Sequence, residues 1–473
     1  MKKAIIQTTI LIFSLGLSLL FFSCNTPANS SKNESTSDDS KQEIPAPKDN
    51  GISSRTPPSV NATLAEDFIR GFDASMVSAL EENGVKFYTE KGNEIDIFEL
   101  LKNNGVNWIR LRLWVNPSNY AGNTLADGDN TTVRTIAVAK RVKAAGLKLL
   151  LDFHYSDTWT DPGLQTVPKD WESITTQSAM ASKINEYTKS TLQKFKAENC
   201  LPDMVQLGNE INAGILLHTS SSKKGNLNDS NSDVRACSWT GSDYTSQNEN
   251  LVAYLKAASE AVSEVSSSIK RMIHVAEGGA ISGHKWFFDK LTTVEYEVIG
   301  LSYYPFFKSH GPIYTQKSQT GENTYSLYKN VEFLKQTYTK EVVIAETSFA
   351  WSDGYNDSTT NQLWYYDSKT DPACGLACAY KNLLYTVETS LPQGITTKEK
   401  DGLTYIAPTV DNQVNVLKEI IQASAQAGAK GFFYWGGDSV SGKTFGSTME
   451  NQTFFDFNNC ALDSIAVFNV QGK

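Results

Sequence analysis

The chain has 473 residues, with 43 Lys and Arg against 52 Asp and Glu, a net charge of −9, and 40% hydrophobic residues. An acidic balance without a basic stripe argues against a nucleic-acid partner and against charge-driven adhesion to an anionic membrane. The length is too great for a small disulfide scaffold.

Residues 1–23 begin with Lys2 and Lys3, continue through an almost uncharged apolar run to Phe22, and end on Ser23. This is the layout of an export signal. Cys24 follows directly and points to lipoprotein processing, with Cys24 acylated as the mature N-terminus; a cleaved secretory peptide and an uncleaved anchor are the alternatives. Residues 24–62 are rich in Ser, Asn, Pro, Lys, Asp and Glu, with only Ile44, Ile52 and Val60 adding bulk. Such a segment buries too little apolar surface to offset its ordering entropy and reads as a flexible tether. The folded domain is then expected over 63–473. The whole is expected to be an exported, monomeric lipoprotein at a bacterial cell surface or outer membrane, touching membrane only through its lipid.

From residue 68 one rhythm repeats: a short apolar run, a polar loop, an amphipathic stretch. The runs are 68–73, 108–114, 148–154, 204–210, 272–277, 298–303, 342–347 and 431–435. Helical spacing of apolar residues marks 95–104, 133–145, 184–198, 250–265, 326–339 and 414–427. Several of these end on a helix stop: Asn104-Gly105, Ala145-Gly146, Ala427-Gly428. Eight strand–helix units without hairpin signals predict parallel strands joined by crossovers, and eight is the number that closes a (β/α)8 barrel. An open doubly wound sheet is the alternative, but Phe72-Asp73-Ala74-Ser75 is unlike the Gly-rich phosphate loop usual after its first strand.

A barrel places its chemistry at the C-terminal ends of the strands. The polar residues there include Asp73, Arg110, Arg112, His154, Asn209, Glu210, Glu277, Tyr303, Glu346 and Trp435. Glu210 and Glu346 close the fourth and seventh runs, across the mouth from one another. Two carboxylates facing across a cleft suit glycoside cleavage: one protonates the leaving oxygen, the other attacks C1 or activates water. Cysteines stand at 24, 200, 237, 374, 378 and 460. Export permits disulfides among Cys200, Cys237, Cys374, Cys378 and Cys460, with the pairing open, and no spacing suggests zinc.

Several segments together resemble glycoside hydrolase family 53, the endo-β-1,4-galactanases. They are Phe68-Ile-Arg-Gly-Phe-Asp73, Trp108-Ile-Arg-Leu-Arg-Leu-Trp114, Leu150-Leu-Asp-Phe-His-Tyr-Ser-Asp-Thr-Trp159, Val205-Gln-Leu-Gly-Asn-Glu210, Ser302-Tyr-Tyr-Pro305, Ala345-Glu-Thr-Ser348 and Gly431-Phe-Phe-Tyr-Trp435. The resemblance implies a retaining barrel glycosidase acting on the polysaccharide β-1,4-galactan, with Glu210 as acid/base, Glu346 as nucleophile, and carboxyls about 5–5.5 Å apart. It further implies that Asn209 binds the sugar 2-hydroxyl, Arg110 keeps Glu346 ionised and Tyr303 donates to that nucleophile. His154 would orient Glu210 or touch substrate, and Trp435 would stack beneath the sugar. Trp114 and Trp159 are either outer sugar contacts or core.

No cofactor is required by such chemistry. Asp353, Asn356 and Asp357 are candidate calcium ligands in an incomplete pattern. The chain departs from the family after Trp435, where Gly436-Gly437-Asp438-Ser439 replaces Glu-Pro-Ala-Trp, and at Phe307, where the family has Trp. Long loops at 219–246 and 353–408 follow the two glutamates. Another β-glycanase of the same clan, such as a mannanase, and a non-catalytic glycan-binding lipoprotein are the rival readings.

Overall fold

Eight parallel strands close into a barrel in which each strand pairs with its neighbours in sequence and the last returns to the first. They are β1 (Ile69–Asp73), β2 (Trp108–Leu113), β3 (Lys148–Phe153), β4 (Met204–Leu207), β5 (Lys270–Val275), β6 (Val298–Ser302), β7 (Glu341–Thr347) and β8 (Gly431–Tyr434). This computed structural model describes residues 49–119, 130–219, 234–239, 244–314, 317–318, 321–322, 325–359, 361, 375–383, 391–400 and 402–473. The expected export signal, Cys24 and the tether up to residue 48 lie outside them, as do Cys374 and parts of the loops at 219–246 and 353–408.

Side-chain alternation explains the barrel's two cores. In β2, Trp108, Arg110 and Arg112 point inward while Ile109, Leu111 and Leu113 pack outward against helices. The same parity places Leu150, Met204, Met272, Val298, Val343 and Phe433 with Trp108 in an apolar plug inside the barrel. Phe433 fits only because Gly71 faces it: a Cβ there would lie 2.1 Å from its ring. Above the plug the inward positions turn polar, and that layer carries the site.

Helices cover the outer face. Thr131, Thr176, Ser326 and Thr409 cap Thr132–Ala144, Gln177–Ala197, Leu327–Tyr338 and Val410–Gln426, each accepting a backbone N–H of the first turn. The expected stops hold, with Gly105, Gly146 and Gly428 all at positive φ. The structure adds short helices at Val77–Glu82, Ile281–Phe288 and Gly375–Leu383. Among the described residues no helix is long and apolar enough to cross a membrane.

Residues 49–62, which composition assigns to the tether, instead lie against the barrel. The Val60 N–H donates to the Gln471 carbonyl (2.9 Å), and Val60 and Ala62 are buried. Ser53 N–H donates to Asn104 Oδ1 at 2.8 Å. A few apolar side chains and backbone pairing with the C-terminal segment suffice to order this stretch, a contact that local composition does not encode. Cys200, Cys237 and Cys460 are free thiols, and Cys378 is in a disulfide.

Candidate active site

Arg110, on the inner face of β2, organises the polar layer. Its guanidinium meets Asp73 Oδ2 (2.8 Å), Asp152 Oδ2 (2.7 Å) and Glu346 Oε1 (2.8 Å), and donates to Asn209 Oδ1 (2.9 Å) and Gln206 Oε1 (3.2 Å). One buried cation thus serves three carboxylates from β1, β3 and β7. Burial opposes the charge on Arg110, but Asp152, Glu346 and Asp73 together raise its pKa above the usual arginine value.

Glu346 reaches this cation because β7 is irregular. Its register against β6 and β8 shifts between Ile344 and Thr347, and the added residue turns Glu346 inward where strict alternation from Val343 and Ala345 would turn it out. The Tyr304 hydroxyl donates to Glu346 Oε2 at 2.8 Å. The expected donor, Tyr303, faces the other way: its hydroxyl donates to the Gly311 carbonyl at 2.9 Å. Tyr304 shares the inward parity of Val298, Gly300 and Ser302, and this was the available signal.

Glu210 stands opposite, after β4, with its backbone in the left-handed region (φ 49°). Its N–H donates to His274 Nδ1 (3.3 Å), the other ring nitrogen of His274 contacts Ser302 Oγ (2.9 Å), and Ser302 hydrogen-bonds the Glu210 carboxyl. With Nδ1 accepting, Nε2 carries the proton and Ser302 is left to donate to Glu210, a tautomer assigned from the network. Burial and the charge of Glu346 push Glu210 up to about 8. Burial shifts Glu346 upward as well, and Arg110 and Tyr304 both oppose that rise without reversing it. Among the described residues Glu210 has no such cation in contact, so within the pair the proton resides on Glu210.

Glu210, Glu346, Asn209, Arg110, His154, Trp159 and Trp435 line one cleft of 770 Å³ at the C-terminal mouth. Asn209 spends its carbonyl on Arg110 and one amide hydrogen on the Thr160 carbonyl (2.8 Å). Trp435 is half-buried, set nearly at right angles to Trp159 (76°) and Tyr304 (81°). Trp159 carries the Arg112 guanidinium 3.8 Å from its ring centre. Trp114 is core instead: it is fully buried and its indole N–H donates to His154 Nδ1 at 3.3 Å. His154 turns Nε2 to Asp152 (3.1 Å), so it steadies that carboxylate while His274 and Ser302 serve Glu210.

Several functional side chains escaped the sequence reading. Asp152 and Gln206 sit inside apolar runs, where their inward parity with Leu150 and Met204 marked them. Asp438, in the departing Gly-Gly-Asp-Ser stretch, is buried at the cleft wall, accepts from the Met76 N–H (2.9 Å) and is pushed up to about 8 by burial and Asp73. Each candidate calcium ligand has a protein partner. Asp353 pairs with Lys398 (2.8 Å), Asn356 Nδ2 donates to the Phe457 carbonyl (3.2 Å), and Asp357 accepts from Ser441 (2.7 Å). Among the described residues no group of three or more His, Cys, Asp or Glu is placed to hold a metal.

A parallel eight-stranded barrel with two carboxylates across its mouth, one ion-paired and one protonated, defines a barrel glycosidase. The family model of glycosyl hydrolase family 53 matches residues 69–373 and 375–468, and the chain belongs to that family. It is 31% identical over 419 residues to an endo-β-1,4-galactanase of Bacillus subtilis, covering 86% of each chain. It is 28% identical to an arabinogalactan endo-β-1,4-galactanase of Thermothelomyces thermophilus, covering 84% of this chain and 98% of that one. Among solved structures, the family 53 catalytic domain of Ignisphaera aggregans aligns with a TM-score of 0.66 at 31% identity, over 87% of this chain and 99% of that one.

Proposed function

We propose that this glycoside hydrolase cleaves internal β-1,4-galactosidic bonds of galactan by double displacement, with Glu346 as nucleophile and Glu210 as acid/base. The substrate reading rests on the galactanases to which the chain is similar. The assignment of roles rests on one observation: Arg110 and Tyr304 both contact Glu346 at 2.8 Å, while among the described residues no cation contacts Glu210. An ionised carboxylate can attack; a carboxyl held protonated near neutral pH can donate.

The reaction then runs in two steps. A galactosyl ring stacks on Trp435, and Glu346 attacks its C1 while Glu210 passes its proton to the departing oxygen. Glu210, now ionised, takes a proton from water as that water attacks C1 and releases Glu346. Asn209 offers its second amide hydrogen to the 2-hydroxyl.

Linear β-1,4-galactan tests this directly. A rapid fall in viscosity with few new reducing ends is expected, mannan should remain uncut, and Glu346→Gln should reduce galactan cleavage to background. Galactan left intact by the unaltered enzyme would contradict the reading.

Lys2, Lys3, the apolar run and Cys24 support export and lipid anchoring at the cell surface. A Cys24→Ser variant that still fractionated with membranes would contradict the anchor. The expected monomer is checked by light scattering.

A further inference from the structure

Glu277 lies two residues beyond β5 on the cleft wall, beside the strand that leads to Glu210, and the reaction above does not use it. Its backbone sits in the left-handed region at φ 62°, where any residue with a Cβ is strained relative to glycine. The surroundings over-determine this conformation. Gly278 N–H donates to the Ser302 carbonyl (2.9 Å), Gly279 N–H to the His310 carbonyl (3.1 Å), and Asn330 Nδ2 to the Gly278 carbonyl (2.6 Å). A Cβ on Gly278 would come within 3.0 Å of Tyr303. On the other side Ala276 exchanges two hydrogen bonds with the Asn212 side chain, 2.6 and 3.1 Å long, which ties the Glu277 segment to the turn that holds Glu210.

The carboxylate so presented is half-buried, and among the described residues no hydrogen bond or ion pair reaches it. A partly buried carboxylate without a protein partner is free to take one from the cleft. A strained backbone holding an unpartnered acceptor at a cleft, next to the proton donor, marks a ligand contact. The proton donor stands where the leaving oxygen departs, so the sugar on its flank is the leaving-group sugar.

We propose that Glu277 accepts a hydrogen bond from a hydroxyl of the leaving-group sugar and fixes that sugar for protonation by Glu210. The proposal rests on the galactanase reading. A sugar hydroxyl donating to a carboxylate is a charge-assisted bond, and its loss corresponds to about a ten- to hundredfold effect.

The test compares Glu277→Gln with the unaltered enzyme on two substrates, linear β-1,4-galactan and a nitrophenyl β-1,4-galactobioside whose leaving group carries no hydroxyl. The expected result is a fall of at least about tenfold in kcat/KM on galactan, with the aryl substrate changed less than about twofold. Glu277→Gly guards against misfolding, because glycine suits φ 62°. It should melt no lower than the unaltered enzyme and show the same selective loss. Equal losses on both substrates, or full galactan activity in both variants, would overturn the assignment of Glu277 and leave the galactanase reading standing. An unaltered enzyme that cuts the aryl substrate but not galactan would overturn both.

Discussion

The Tyr304 hydroxyl stands 2.8 Å from Glu346 Oε2, on the side of the carboxylate away from Arg110. Its chain neighbour Tyr303 points to the Gly311 carbonyl. The two tyrosines therefore separate a contact to the reacting group from a packing contact by one residue. Tyr304→Phe should lower kcat/KM on galactan about ten- to hundredfold, the value of a hydrogen bond to a charged group. Tyr303→Phe should leave kcat/KM within about twofold and cost about 1 kcal/mol of stability. Steady-state kinetics and urea unfolding on the pair check both halves.

Arg110 is the sole cation in contact with Asp73, Asp152 and Glu346 among the described residues. Its removal leaves three buried carboxylates against one another. Arg110→Met should destabilise the fold by about 3–5 kcal/mol, the cost of stranding buried charge, and should raise the pKa of whichever carboxylate protonates. Denaturant midpoints at pH 5 and pH 8 test this, with the larger loss expected at pH 8, where the carboxylates must ionise.

The proton on Glu210 sets a second pH dependence. Its pKa lies near 8 in the folded chain, above the ordinary 4.5. Between those values the folded state binds more protons than the unfolded one, so this residue's contribution to stability falls as pH rises from about 4.5 to about 8. The acid form needed for the first step disappears over the upper end of the same range. kcat/KM should therefore show a basic limb near pH 8, and Glu210→Gln should remove this residue's share of the pH-dependent loss of stability. Bell-shaped kinetics and thermal melts from pH 4 to 9 read the two effects separately.

Gly71 faces the plug, one inward position below Asp73 on β1. Gly71→Ala drives a Cβ into the Phe433 ring, 2.1 Å away. Overpacking of this kind costs about 1–3 kcal/mol or more. A urea titration should show the lowered midpoint, and a variant that removes bulk opposite it, Phe433→Leu, should recover part of the loss.

The barrel was legible because its strands are short apolar runs between helix stops, and Asn104-Gly105, Ala145-Gly146 and Ala427-Gly428 end their helices as expected. Glu210 was legible because it closes a strand at the mouth. Glu346 was legible by its place after Val-Val-Ile-Ala, although its inward turn depends on a bulge that no local pattern displays. Tyr303 and Tyr304 stand side by side after the strand, and only parity counted back to Val298 selects Tyr304 as the residue that meets Glu346. Trp114 was ambiguous because a strand-end indole serves a core or a cleft equally well, and only its full burial decides. Residues 49–62 look like tether because their order comes from Gln471 and Asn104, far along the chain.

The most direct test of Glu346 as nucleophile is to trap the covalent intermediate. A 2-deoxy-2-fluoro galactobiosyl substrate with a good leaving group slows the second step, and peptide mass spectrometry then locates the label. A glycosyl adduct on the peptide bearing Glu346, lost on adding galactan, is the predicted result. An adduct on Glu210, or inactivation without any covalent label, would contradict it.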